Sequence, residues 1–331
     1  MKKIIILDCH GGDNSPDCVL KGAAIASQNN DLKFHLVGNR EIIETKLKEF
    51  NITLPDYELT HTDDIISMDD EPTSIIKSKK NCSMAVGLKL LADNKGEAFI
   101  SAGSTGALLT GSTLFVKRIK GIKRAAMAPL IPTLTGNCLL IDCGANTENT
   151  PEFLYQYALL GDIYSKHILN IKNPKIGLLN NGTEETKGTQ LYIDTYSLLK
   201  NSSFNFIGNI EAKEAMLGGC DVLVADGFTG NIFLKTVEGT ASVFSKFLKE
   251  VLYKNTKNKA AALILKSDLN NLKKKMSGDN TGGAPFLGIS KPVFKAHGSS
   301  DEKAISYAIK DAYHFINSKV IEKISIENLF Q

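Results

Sequence analysis

Residues 98–117 read AFISAGSTGALLTGSTLFVK. An apolar strand over 98–101 runs into a turn of small residues and then a helix over 105–117, and this strand–turn–helix unit recurs on both sides of it. Towards the N-terminus, residues 3–7 form a short apolar strand before Gly11-Gly12-Asp13 and a helix beginning near Pro16. Ser15 is placed there as the N-cap and Pro16 at the first helical position, where its missing N–H costs nothing. Residues 32–37 repeat the pattern, with Gly38 and Asn39 as the break before a helix carrying Ile42, Ile43 and Leu47. Towards the C-terminus, residues 139–142, 175–179, 204–207 and 222–225 are further strands, apolar on both faces. Strands of that kind need cover on both sides, and the helices between them supply it. The pattern predicts an α/β/α sandwich on a mostly parallel sheet.

Composition agrees with a globular enzyme-sized chain. At about 150 residues per domain, 331 residues make two domains or one large α/β unit, and 43% hydrophobic residues suffice for a sizeable core. Lys+Arg 39 against Asp+Glu 36 leaves a net charge of +3, too balanced for a nucleic-acid coat, so charge acts only where it clusters. No stretch reaches the roughly 18 apolar residues of a membrane span. The apolar run in MKKIIIL stops at Asp8 with no cleavage site after it, so it reads as a core strand rather than a leader. Cys9, Cys18, Cys82, Cys138, Cys143 and Cys220 are irregularly spaced, which fits reduced cytoplasmic thiols better than a disulfide framework or zinc site.

Six turns follow apolar or extended segments: 8–13, 101–106, 142–146, 180–184, 226–231 and 297–301. In an open parallel sheet such turns gather at the carboxyl edge, where glycine lets backbone approach a ligand and N–H groups at helix starts face an anion. One crevice collecting all six favours phosphate or another polar anion. The Gly-x-Gly-x-x-Gly, Gly-x4-Gly-Lys-Ser/Thr and Gly-x-Ser-x-Gly patterns are absent, and Ser104 in Ala-Gly-Ser-Thr-Gly is no nucleophile elbow.

At these turns the sequence resembles the phosphate acyltransferase family known as PlsX, the acyl-carrier-protein:phosphate acyltransferases of bacterial phospholipid synthesis. The likeness runs from Lys3 to about Ile316. It rests on Gly11-Gly12-Asp13, Ile100 to Ala107, Arg118-Ile119-Lys120-Gly121-Ile122 and Asp142-Cys143-Gly144-Ala145-Asn146. It continues through Gly182-Thr183-Glu184 with Lys187-Gly188, Asp226 to Asn231, Gly282-Gly283-Ala284-Pro285 and Lys295 to Asp301. The chain departs from the family where Cys9 and His10 replace Ala-Met, and where Asn181 replaces an aliphatic residue. Cys9 and His10 are adjacent on an extended segment and face opposite ways, so they are read as replacements and not as a nucleophile pair.

The resemblance implies a fold like that of phosphotransacetylases and isopropylmalate-type dehydrogenases. Residues 1–331 would form one unit of two intertwined α/β subdomains, working as a homodimer. It implies reversible transfer of a fatty acyl group from acyl carrier protein to inorganic phosphate, with no cofactor, no essential metal and no nucleic-acid partner. Expected phosphate and substrate contacts are Gly11, Gly12, Asp13, Gly103, Ser104, Thr105, Gly106, Asn146, Gly182, Thr183, Gly227, Thr229, Gly230 and Asn231. Lys187 is the expected catalytic cation, although spacing alone would make it a solvated helix lysine. Asp226 orients Lys187, holds a loop or serves as a cap, and His297 could protonate the leaving thiolate.

Two charged stretches suit partners. Lys117, Arg118, Lys120, Lys123 and Arg124 would steer an acidic carrier protein; alternatively Lys117 and Arg118 cap a helix and the rest are solvated. Residues 254–276 carry seven lysines and one acid. Ala262, Leu265, Leu269, Leu272 and Met276 recur at helical spacing, which, with Leu263 and Ile264, predicts a basic amphipathic segment on an anionic membrane surface. A helical hairpin packed on a dimer partner is the other reading. With these stretches, the resemblance implies a cytoplasmic chain at the inner face of the membrane, with a membrane-bound glycerol-3-phosphate acyltransferase downstream. Three rivals stand: a phosphotransacetylase-like enzyme using coenzyme A thioesters, an isopropylmalate-type dehydrogenase, disfavoured by only three arginines, and a membrane-surface scaffold.

Overall fold

The computed structural model describes residues 2–28, 31–276 and 282–327, without the side chains of 273–276, 326 and 327. Met1 and the side chains of Lys273, Lys274, Lys275 and Met276, all part of the readings above, therefore lie outside the described residues. The strands are β1 (Lys3–Asp8), β2 (Leu32–Gly38), β3 (Tyr57–His61), β4 (Ala98–Ser101), β5 (Ala126–Met127), β6 (Leu130–Thr133), β7 (Gly136–Ile141), β8 (Ile176–Leu179), β9 (Phe206–Ile210), β10 (Val222–Val224), β11 (Ala284–Leu287) and β12 (Val293–Lys295). The helices are α1 (Asp17–Ala26), α2 (Arg40–Glu49), α3 (Ser83–Ala92), α4 (Thr105–Gly111), α5 (Pro151–His167), α6 (Gln190–Lys200), α7 (Ala212–Met216), α8 (Gly227–Tyr253), α9 (Thr256–Ile264), α10 (Lys266–Met276), α11 (Glu302–Ser318) and α12 (Val320–Glu327).

The strands form two sheets where residue pattern alone suggested one. The first has seven strands in the order β3-β2-β1-β4-β12-β11-β5, and the second five in the order β6-β7-β10-β8-β9. Pairing is parallel from β3 through β12 and from β7 through β9, with antiparallel strands at the edges where the sheets approach one another. Two-sided apolarity foretells burial but not which strand is a neighbour, so the division was invisible in sequence. β4, β8 and β10 are buried at every residue.

Helices cover both faces. Phe294 of β12 meets Phe315 of α11 edge to face, with ring centroids 5.5 Å apart. α11 can approach α1 because Gly22 has no Cβ; an added one would lie 2.6 Å from Ile305 Cγ2.

Four local readings change. Ser15 does not cap α1: its hydroxyl donates to Gly11 O, Pro16 holds the cap position and Asp17 begins the helix. The helix expected over 105–117 is α4 followed by a π-helical turn, Ser112–Val116, where the Ser112 hydroxyl donates to Leu108 O at 2.6 Å and competes with the regular ladder. The strand expected at 204–207 is displaced to β9, because Ser202 and Phe204 form a turn in which Phe204 N donates to Ser202 Oγ. The single amphipathic stripe expected over 254–276 is broken: α9 ends at Ile264, and Leu265 joins it to α10.

Candidate active site

Three of the six turns meet at the carboxyl edge of the first sheet, after the adjacent strands β1, β4 and β12. Asp8 ends β1 and organises them. Its Oδ1 accepts from Gly11 N at 3.2 Å and Ser83 Oγ at 2.6 Å, and its Oδ2 accepts from Ser101 Oγ at 2.6 Å. Ser101 Oγ in turn accepts from Gly103 N at 3.0 Å. Asp13 N donates to Gly298 O at 2.8 Å, which ties the first turn to the third. The packing admits only small residues: a Cβ on Gly12, whose φ is +97°, would stand 2.7 Å from Ala102 Cβ.

At the second sheet the turns after β7 and β10 interlock in the same manner. Asp142 is fully buried and accepts from the backbone N–H groups of Cys143, Ala145 and Asn146. Burial pushes its carboxyl up to about 6, while the donors around it hold it from rising further, so it is charged at neutral pH. Gly227 N donates to Asn146 O at 2.8 Å. Asp226 caps α8, accepting from Phe228 N and Thr229 N at 2.9 Å, and takes hydrogen bonds at 2.6 Å from the hydroxyls of Tyr192 and Thr229.

These bonds correct one part of the sequence reading. The α8 N-terminus offers no free amide to a ligand, since its first N–H groups go to Asn146 O, Asp226 Oδ1 and Asp226 O. Nor does Asp226 hold Lys187; among its alternatives, the cap is the one observed. Strand-end carboxylates act as resident anions for many turn amides. Those with no acceptor among the described residues include Gly12, Thr105, Gly106, Gly144, Gly182 and Thr183.

The turn after β8 is the outlying member. Lys187 is exposed and precedes α6 by a short turn instead of starting a helix. Its side chain lies over Gly182, where an added Cβ would stand 3.0 Å from Lys187 Cγ and 2.9 Å from Glu184 Oε2. Gly182, Thr183, Glu184 and Lys187 thus come together as read, and Tyr192 links them to Asp226. The two sheets are joined directly: Met127 N of β5 donates to Asp142 Oδ1 at 2.9 Å and Asn146 Nδ2 to Ala125 O at 2.8 Å.

Among the remaining residues, Ser104 caps α4 through Ala107 N. Gly106 packs against Pro72, and Asn231 lies beside Gly144. His297 is exposed, with Nδ1 at 2.9 Å from Ser299 Oγ. Cys9 is fully buried, where desolvation drives its thiol pKa far up, and His10 Nε2 accepts from Asn39 N at 3.0 Å, so the two do not form a reactive pair. All six thiols are free and buried. No cluster of three metal-ligating side chains occurs among the described residues.

Lys295 opens one of the motifs quoted for the resemblance, yet the sequence reading gives it no role. It ends β12, and its ammonium donates to Ala102 O at 3.2 Å and to Ala296 O, inside the first group of turns. Desolvation, and then Lys235 of α8, lower its pKa to about 8, against the opposing pull of Asp13 and Asp8. A polar residue closing the apolar run Val293-Phe294 just before a glycine turn was the available signal.

The five basic residues at 117–124 are exposed on a loop anchored by buried Ile119 and Ile122. Arg118 donates to Lys123 O, and the Arg124 guanidinium stands 5.5 Å from the Phe153 ring centroid. Leu263 and Ile264 are 73% and 83% exposed, and Leu265 is also exposed, whereas Leu269 is only half so. No described helix is long and apolar enough to cross a membrane.

A family model described as fatty acid synthesis protein matches residues 3–323. Phosphate acyltransferases of Alkaliphilus oremlandii and Thermoanaerobacterium thermosaccharolyticum are 46% and 45% identical, over 97% and 98% of this chain and 96% of each relative. Among solved structures, a phosphotransacetylase from Streptococcus pyogenes superposes with a TM-score of 0.63 at 17% identity, covering 97% of this chain and 94% of that one. One from Staphylococcus aureus gives 0.59 at 13% identity, covering 96% and 94%. At such identities the likeness is one of fold, and it agrees with the fold expected from the resemblance.

Proposed function

The chain belongs to the fatty acid synthesis protein family, and from that premise we propose that it transfers a fatty acyl group reversibly between acyl carrier protein and inorganic phosphate. It is an acyltransferase, as its phosphate acyltransferase relatives are. The observation that carries the reading is the gathering of glycine-edged turns, some with free amides, at the carboxyl edge of each of two joined, mostly parallel sheets. Phosphate is largely dianionic near neutral pH, its second ionisation lying at about 6 to 7, so no strong base is needed. The site has to hold the anion against a thioester carbonyl and stabilise the oxyanion that develops. A phosphate oxygen bonds to the acyl carbon, the tetrahedral intermediate collapses, the carbon–sulfur bond breaks and the carrier thiolate takes a proton. Lys187 supplies positive charge to the phosphate or oxyanion, and His297 the proton.

The chain works as one unit of two α/β subdomains, paired as a homodimer; the exposed apolar residues Phe244, Phe247 and Val251 along α8 support self-association. The basic loop at 117–124 receives the carrier protein. The α9–α10 arm, with Leu263, Ile264 and Leu265 at its bend, rests on the inner face of the cytoplasmic membrane. There the acyl phosphate passes to a membrane-bound glycerol-3-phosphate acyltransferase.

The test is an assay of purified protein with acyl carrier protein thioester and phosphate, trapping product with hydroxylamine. Hydroxamate that requires both substrates is expected. Thioester hydrolysis independent of phosphate, or turnover of coenzyme A thioesters alone, would overturn the reading.

A further inference from the structure

Lys295 is held without an ion pair among the described residues, although it is partly buried at the centre of three converging turns. An ammonium has three donors. Two of them reach Ala102 O and Ala296 O, which leaves one. Asp8, one of the two carboxylates whose field reaches Lys295, is occupied by Ser83, Ser101 and the Gly11 amide. A clamp for two carbonyls would need donors but no charge. Beside that geometry, burial and then the field of Lys235 on α8 hold the Lys295 pKa down, while Asp13 and Asp8 pull it the other way. Lys235 lies one helical turn beyond Asn231, in the same shallow depression, and its ammonium meets Glu238 at 2.8 Å.

We propose that Lys295 binds the phosphate substrate directly, through its remaining N–H. This rests on the acyl-transfer reading. It adds a charged contact to turns that also carry free amides at Gly12, Thr105 and Gly106.

The experiment compares the full chain with Lys295→Met and Lys235→Met. KM for phosphate and for the carrier thioester are measured from about pH 6.5 to 9.5, with calorimetric titration of inorganic phosphate alone alongside. Lys295→Met is expected to raise the phosphate KM by about tenfold or more while the thioester KM stays within about twofold. In the unaltered protein the phosphate KM should climb above pH about 8 as Lys295 loses its proton. Phosphate itself is already dianionic there. The charged groups acting on Lys295 are Lys235, Asp13 and Asp8. Removing Lys235 should therefore move the climb to higher pH. That shift also decides the matter if Lys295→Met does not fold, because Lys235 is exposed. An unchanged phosphate KM in Lys295→Met, or a climb that Lys235→Met leaves in place, would make Lys295 a structural clamp and overturn the proposal. If the protein turns over no carrier thioester yet still binds phosphate in a Lys295-dependent way, the acyl-transfer reading falls and the phosphate site stands.

Discussion

Lys187 is exposed and holds nothing but its own turn, with its carbonyl accepting from Asn180 Nδ2 at 3.1 Å. Replacing it by alanine should leave the thermal transition unchanged within about 0.5 kcal/mol, while acyl phosphate formation, read by hydroxylamine trapping, falls by at least about tenfold. Unchanged turnover would remove it from the reaction. Asp311 tests electrostatics away from the site. Burial raises its carboxyl to about 6, and Gly282 N is its hydrogen-bond donor. Between the ordinary value of 3.8 and about 6 the folded chain binds more protons at this group than the unfolded chain does. Its contribution to stability therefore falls as pH rises through that window. Asp311→Asn keeps an acceptor for Gly282 and should stabilise the protein at pH about 7 by roughly 1 to 2 kcal/mol, with the gain vanishing near pH about 4; denaturant melts at both pH values check it. At this scale sequence pattern located the turns well, because glycine beside small polar residues has few other uses after an apolar strand. It could not show that Asp8, Asp142 and Asp226 occupy so many of the turn amides, since those bonds span residues whose approach depends on the packed fold.

At the level of elements, the periodicity of residues 254–276 foretold helix but not its interruption. Each half of the segment is short and uncovered, so nothing in its local spacing marks Leu265 as a joint. The interruption places Leu263, Ile264 and Leu265 together at the bend, with lysines on either side, a shape suited to shallow insertion among anionic headgroups. Changing Leu265 and Leu269 to glutamate should abolish co-sedimentation with vesicles containing anionic lipid and leave turnover of soluble substrates within about twofold, because the arm lies outside the catalytic turns. Persistent vesicle binding would contradict the role given to this arm. The strands were legible for a different reason: β4, β8 and β10 are buried throughout and β1 and β7 over their last four residues, and their helix-linked order admits few arrangements.

Across the whole molecule the decisive feature is the joining of two mostly parallel sheets, where β5 at the edge of the first meets the turn after β7 of the second, held by Met127 N to Asp142 and Asn146 to Ala125 O. Neither bond could be read from the chain. Strand pairing over such separations leaves no periodic trace. Lys295 ends β12 among the turns of the first sheet, and free amides stand at Gly12 in those turns and at Gly144 in the turns of the second. An oxyanion held there would be set against a thioester delivered from the direction of the basic loop. A crystal soaked in millimolar orthophosphate tests this most directly. Tetrahedral density between the turns after β1, β4 and β12, within hydrogen-bond reach of Gly12 N and Lys295 Nζ, is the expected result; a phosphate bound only elsewhere, or a junction that stays empty at saturating concentration, would contradict the account.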